Sequence, residues 1–257
     1  GYDRAVVVAR LDTLFDAEHN NVKVIEFNCD DPSSFGDNDV ILSIFESNAT
    51  LAALKCQYGL EHDRLIDGFK DAMMATYAEF CRTKKKAIKK EPFVVISRSS
   101  SSSIRTDVDH IVRGLVQKNV DACYADPRSM DYTSGKLYYR SREVDIFYRD
   151  NKGDIFRDET AGGAWKKIRN GILRTTRTLC ERSRHINTLL KTSYFGHAED
   201  ILRAYAAGAV CMINPLRAAI SSQKSSLAVL HEPRFRTLFT DNELSIIDTY
   251  TSILLKA

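Results

Sequence analysis

Four residues near the start of the chain have the types and spacing for metal-assisted phosphoryl chemistry: Arg10, Asp12, Glu26 and Asn28. Residues two apart in a β-strand point to the same face, so Arg10 pairs with Asp12 and Glu26 with Asn28. A hairpin centred on His19 sets Asp12 opposite Glu26 and Arg10 opposite Asn28. Cross-strand partners sit about 5 Å apart, which gathers four polar groups on one face. Ala9, Leu11, Ile25 and Phe27 then fall on the other face, where burial is expected. The hard oxygens of Asp, Glu and Asn suit Mg²⁺, an ion that keeps waters and is shared with substrate phosphates. An arginine beside them can neutralise charge on a transferring phosphoryl group. A solvated hairpin face with a salt bridge fits the same pattern, and spacing alone does not choose between the two.

The elements that must position these groups are legible from periodicity. Residues 4–14 and 22–28 alternate and are β-branched, and the polar loop 16–21 joins them as a hairpin. From 39 to about 81, apolar residues recur at helical spacing (Ile41, Ile44, Phe45; Leu65, Ile66, Phe69, Met73), which predicts two or three helices before Pro92. FVVIS at 93–97, a helical pattern at 108–116 and VDACYA at 120–125 form a βαβ unit, which requires a parallel pair. Gly135-Lys136 is expected in a turn, 144–149 is a third strand, 160–207 reads as helical and basic, and 210–213 is a last short strand. A further helix starts near Lys224. The class is α/β with a mixed sheet.

At 257 residues the chain can bury a sizeable core. Its longest apolar run, 204–213, is about half of what spans a bilayer, so no membrane span is expected. The opening residues show no signal peptide, and a start on Gly1 predicts further residues upstream. The net charge of +3 hides an asymmetry: residues 1–50 hold ten acids and three bases, 82–90 six bases and no acid, and 166–191 eight bases and one acid. An acidic segment beside basic ones fits a site that handles a cation and an anion together. For 84–90 a solvated helix face is the expected role. Nucleic-acid binding would use the same bases, but no aromatic stacking motif accompanies them. The six cysteines form no C-x-x-C and have no zinc-finger histidine, which predicts reduced, cytoplasmic thiols. P-loop, dinucleotide-fingerprint and nucleophile-elbow motifs are absent from the sequence.

RLDTLF at 10–15 with KVIEFNCDDPSSFG at 23–36 resembles the metal-binding signature of circularly permuted ATP-grasp ligases of the glutathionylspermidine synthetase-like group. Three later segments resemble family segments in the same order: 93–127 the inserted Rossmann-like substrate domain, LYYRSREVDIFYRD at 137–150 a family strand ending in Tyr-Arg, and INPLRAAISSQKSSLAVLHE at 213–232 the segment with an ATP-contacting lysine. The resemblance implies an ATP-grasp-like α/β fold with an inserted Rossmann-like subdomain. It divides the chain into a metal-binding lobe at 1–92, the substrate subdomain at 93–150, a basic helical insertion at 151–209 and a return to the first lobe at 210–257. It implies that Asp12, Glu26 and Asn28 bind Mg²⁺, that Arg10 acts on the acyl phosphate and nucleotide, and that Lys224 contacts ATP. Ser33 and Ser34 are implied substrate contacts; Ser100 in the serine loop and Arg149 at a strand end are further candidates, and for Arg149 an ion pair with Asp145 fits the spacing equally. The implied reaction phosphorylates a small-molecule or peptide carboxylate with ATP, and an amine then displaces phosphate to give an amide.

Two departures stand out. Where the polyamine-using members carry paired acids, this chain has Ser99 to Ser103 between Arg98 and Arg105, which suits an anion or a neutral polar group rather than a polyamine. Gln223 replaces the asparagine that usually precedes the lysine. A second nucleotide-contacting lysine is expected beyond the helix at 241–255, which makes the chain a partial ligase on this reading. The rival expectations are a non-catalytic module derived from the same fold and a basic RNA-binding protein built around 166–191.

Overall fold

The computed structural model describes residues 4–97, 106–149 and 199–251. The serine loop with Ser100, the basic stretch 166–191 and Trp165 lie outside the described residues. The chain forms two compact units, Gly1–Thr83 with Ile213–Ala257, and Lys84–Met212.

The first unit opens with the expected hairpin, strands β1 (Arg10–Asp16) and β2 (Asn21–Asn28), paired antiparallel. Residues 4–9, expected as the start of β1, are not strand; Val7 and Val8 spend backbone N–H groups on a side chain instead of a neighbouring strand. Asp16 closes the turn: its carboxylate accepts the backbone N–H of Glu18 at 3.1 Å and of His19 at 3.3 Å, and it meets the His19 ring at 2.7 Å. Three helices follow, α1 (Phe35–Ser47), α2 (Ala49–Tyr58) and α3 (Leu65–Lys84). α1 begins at Phe35, ahead of the apolar pattern, because Phe35 docks on Phe69 of α3 with ring centroids 4.9 Å apart. α3 buries Ile66, Phe69, Met73, Tyr77 and Phe80, a stripe at helical spacing that forms this unit's core. Gly59 ends α2 at φ +60°, a conformation glycine adopts without strain.

The second unit is built on a parallel sheet. Strand β3 (Val94–Ser97), helix α4 (Thr106–Gln117) and strand β4 (Ala122–Ala125) give the expected crossover unit with a parallel pair. An antiparallel meander follows: β5 (Met130–Thr133), β6 (Lys136–Tyr139) and β7 (Arg142–Glu143). Ser134 and Gly135 make its first turn and Lys136 already belongs to β6, one residue from the expected placement. Strand β8 (Ile146–Arg149) pairs parallel with the other side of β3. Helix α5 (Glu199–Ala206) packs on β5, where Asp200 accepts the Tyr132 N–H at 2.9 Å, and β9 (Cys211–Ile213) completes the order β4-β3-β8-β9. Val94, Val95, Ile96, Ile146 and Phe147 are fully buried, as strands covered on both faces must be.

Residues 85–90 are not the helix face expected from their charge. Lys85 has φ +54° just past α3, Lys86 Nζ donates to the Ala209 carbonyl at 2.8 Å, and Lys89 Nζ pairs with Asp145 at 2.7 Å. A lysine stem long enough to reach back makes a loop tie out of a basic run.

The chain then returns to the first unit with α6 (Ala218–Ser221), α7 (Ser225–His231), α8 (Pro233–Arg236) and α9 (Asp241–Tyr250). α9 starts on a complete capping box between Thr240 and Glu243, and Thr251 beyond it bridges Val24 of β2. This return covers one face of the two-stranded hairpin: Val24 and Asn28 are buried. The spacing predicts burial of Ala9, Leu11, Ile25 and Phe27, and none of the four is fully buried. Ala9 and Leu11 stay exposed, Leu11 at 51%, because a two-stranded ribbon with one covering layer hides only part of its surface, while Ile25, Glu26 and Phe27 are all half-buried. The whole described chain is mixed α/β with a parallel sheet. Among the described residues no helix is long and apolar enough to cross a membrane.

Candidate metal and phosphate site on the hairpin

The strand register places the four polar residues where their spacing put them: Arg10 opposite Asn28 and Asp12 opposite Glu26. The register then slips by one, with Thr13 opposite Val24, so Ile25 is an extra residue on β2. Such a bulge bends the strand and re-aims its side chains. The slip falls directly behind the Asp12–Glu26 pair, leaving the site half of the hairpin in its expected register.

Arg10 is held along two edges. Its Nε donates to Asp12 Oδ1 at 2.9 Å, Nη2 to Asp12 Oδ2 at 3.4 Å and Nη1 to Ser33 Oγ at 3.2 Å. A guanidinium has five N–H donors, so two remain for a ligand. Lys224, at the start of α7, brings its Nζ to 3.9 Å from Glu26 Oε2. This pair is loose, with side-chain exposures of 71% for Lys224 and 31% for Glu26, and such pairs contribute little to stability. A lysine held near a carboxylate without a close contact is free to turn to a phosphate.

A clamp fixes the hairpin end from below. Asn214 is fully buried, and its side chain makes all four hydrogen bonds available to an amide. Oδ1 accepts the N–H of Val7 at 2.8 Å and of Val8 at 3.0 Å, while Nδ2 donates to the carbonyls of Val8 at 2.7 Å and Cys29 at 2.8 Å. Ser222 Oγ accepts the next two N–H groups, Cys29 at 2.9 Å and Asp30 at 2.7 Å. The segments on either side of the Arg10–Asn28 pair are thus pinned by residues from the far end of the chain. Sequence reasoning missed both clamp residues; the only signal was that they precede Lys224 in the same segment, 213–232.

Asn28 is 4% exposed, and its amide nitrogen has no hydrogen-bond partner among the described residues. An orphaned buried amide costs stability, and its two ends differ only by rotation about the last torsion. A half-turn of the amide exchanges its oxygen into that unpartnered position. Asp12 and Glu26 add carboxylate oxygens that stay solvent-accessible. No group of three or more His, Cys, Asp or Glu side chains gathers among the described residues, so a site holding a metal through protein groups alone is not formed. Two carboxylates and an amide fit Mg²⁺ nonetheless, since it is usually bound by one or two carboxylates with substrate phosphates and water.

The other expected residues fall as follows. Ser33 is joined to this group through Arg10. Ser34 sits at φ +75° ahead of α1 with no side-chain cap bond, and both serines line a cavity shared with Arg10. Arg149 belongs to the second unit. It ends β8 opposite Ser97 of β3, is 1% exposed, and burial pushes its pKa down to about 10. The Ser97 hydroxyl beside it is buried with no hydrogen-bond partner among the described residues. Both lie at the carboxyl ends of parallel strands, the side on which open α/β sheets bind ligands. Ser100 lies outside the described residues. Asp145 is a structural group: it accepts the Phe93 N–H at 2.9 Å and the Lys89 pair at the other end of β8 from Arg149. No protein-family model matches the chain, and no curated protein sequence matches it significantly.

Proposed function

We propose that the chain is an ATP- and Mg²⁺-dependent carboxylate–amine ligase with a circularly permuted ATP-grasp-like architecture, its second unit serving as a Rossmann-like substrate subdomain. The observation that carries this reading is the approach of Lys224 to Glu26 on the hairpin face that also bears Asp12 and Arg10. A phosphate-seeking cation and a pair of hard acids meet there from opposite ends of the chain.

Asp12, Glu26 and Asn28 would hold Mg²⁺, which would supply charge neutralisation for the ATP phosphates. Lys224 leaves Glu26 to contact those phosphates. A carboxylate oxygen of the substrate attacks the γ-phosphorus and ADP departs. An amine nitrogen then attacks the carbonyl carbon, phosphate departs, and an amide bond is left. Arg10, kept in place by Asp12 and Ser33, stabilises the charge that builds on the transferring group. Catalysis of this kind is positioning and electrostatics rather than covalent participation of the protein. A cytoplasmic location fits this reading, which needs ATP, and the cysteines described are free thiols.

The test is ADP release by the full chain with Mg·ATP and a panel of amino acids and peptides. Asp12→Ala or Glu26→Ala abolishes substrate-stimulated release; wild-type turnover in either variant would sink the assignment.

A further inference from the structure

A cavity of about 430 Å³ opens in the second unit beside β4. Its volume lies in the lower part of the small-molecule range, roughly 300–1,000 Å³, which suits a molecule of one or two rings. Among the described residues β4 ends the strand order of its sheet, so the cavity runs along a sheet edge. Its described lining includes neither Ser97 nor Arg149, nor any residue of the hairpin face.

The walls are aromatic. Phe93, Tyr124 and Tyr139 contribute three rings. Tyr124 keeps 55% of its surface exposed, an area that a flat partner can cover. The turn between β6 and β7 brings two arginines to the same cavity, Arg140 and Arg142. Each guanidinium lies over a ring: Arg142 is 3.8 Å from the Phe93 centroid and Arg140 is 5.1 Å from that of Tyr139. Stacking of this kind uses the flat face of a guanidinium and leaves its N–H edge for a planar anion.

Only one of the two edges is taken. Arg142 pairs with Asp121. The Arg140 guanidinium makes no hydrogen bond or ion pair among the described residues. Glu143, the acid nearest to it along the turn, is held by Lys136 at 2.7 Å and Lys89 at 3.7 Å. The charged groups that bear on the Cys123 thiol, which also lines the cavity, are Arg142, Asp121 and Arg140. Two cations and one anion leave a single positive charge beside aromatic walls.

We propose that this cavity binds an aromatic carboxylate, a flat molecule of one or two rings, with its carboxylate on the N–H edge of Arg140 and its ring against Tyr124. One unmatched cation selects a monoanion. A phosphate ester carries about −1.5 to −2 at neutral pH and would bring charge that nothing in the cavity offsets. The site does not depend on the ligase reading: its residues all belong to the second unit, whereas Asp12, Glu26 and Lys224 belong to the first.

The experiment is titration calorimetry on the full chain with 2-naphthoate, 2-naphthamide, decalin-2-carboxylate and 2-naphthyl phosphate. It is run on wild type, Arg140→Gln and Tyr124→Ala. Wild type should bind naphthoate about tenfold more tightly than the amide, the worth of a hydrogen bond to a charged group, and more tightly than the saturated acid or the phosphate. Arg140→Gln should bring acid and amide level, and Tyr124→Ala should bring the flat and saturated acids level. Both side chains are exposed, so the melting temperature should hold in both variants. Absence of naphthoate binding, equal binding of acid and amide by wild type, or tighter binding of the phosphate overturns the proposal. So does a preference for the acid kept by Arg140→Gln, or one for the flat ring kept by Tyr124→Ala.

Discussion

Two layers of the first unit carry polar side chains at close quarters, and they are built on opposite terms. On the hairpin face, Arg10, Asp12, Glu26 and Lys224 keep between 31% and 71% of their side chains exposed and make loose or partial contacts. Beneath it, Asn214 is wholly buried and has every donor and acceptor satisfied. The lower layer can only hold; the upper can still exchange partners. Asn28 stands between them, buried like the clamp but with an amide nitrogen left over like the face. A group that is costly to bury and is not used by the fold is what a ligand site leaves behind.

That contrast can be broken by asking which property each substitution moves. The largest effect is expected on the face. Asp12→Ala or Glu26→Ala lowers ADP release by on the order of 10²–10³, while the melting temperature stays nearly fixed, because exposed substitutions change stability by roughly 0.5 kcal/mol or less. A fall in stability matching the fall in activity would show the face to be structural.

The clamp should respond the other way. Asn214→Ala strands buried N–H and C=O groups and costs about 3 kcal/mol, a drop of roughly 6–12 °C in the thermal midpoint. Calorimetry with unchanged stability would remove Asn214 from this role. Ser222→Ala leaves the Cys29 and Asp30 N–H groups unmatched in a half-buried place, and about 1 kcal/mol is expected by urea titration.

Lys224→Met sharpens the contrast further. Its ion pair is exposed and long, so stability should move by less than about 1 kcal/mol, whereas the KM for ATP should rise; a melting shift with an unchanged KM contradicts the phosphate role. The smallest effect lies at the hairpin turn. The His19 hydrogen bond, helped by the turn N–H groups, holds the Asp16 carboxyl below its ordinary value of 3.8. A lowered carboxyl pKa stabilises the fold above the ordinary value, and that contribution is lost as pH falls through the folded one. His19→Ala should move Asp16 back toward 3.8 in an NMR titration and leave the site untouched.

Local pattern carried a good deal of this molecule. The alternation of 22–28, the crossover unit 93–125 and the helical stripe of α3 are each decided by which neighbours a side chain meets at period 2 or 3.6, and these are properties of short stretches. The Asp12–Glu26 pairing matches the one expected from a turn centred on His19, but it is reached through the extra residue Ile25, since the turn's own register would set Asp12 opposite Ile25. Local pattern was wrong where a distant partner decides. Residues 4–9 look like strand, yet the N–H groups of Val7 and Val8 go to Asn214; residues 85–90 look like a charged helix face, yet Lys86 and Lys89 tie down Ala209 and Asp145.

The sequence by itself determined the residue types, the two-residue spacing and the pairing that gather Arg10, Asp12, Glu26 and Asn28, since all of these operate within one hairpin. Only the tertiary structure decided which face of that hairpin is covered, that Lys224 comes to Glu26, that Asn214 and Ser222 hold the strand end, and that Arg142 lies over the Phe93 ring. These contacts join residues far apart in the chain, and the free energy that selects them comes from burying whole elements together, which no short window of sequence contains.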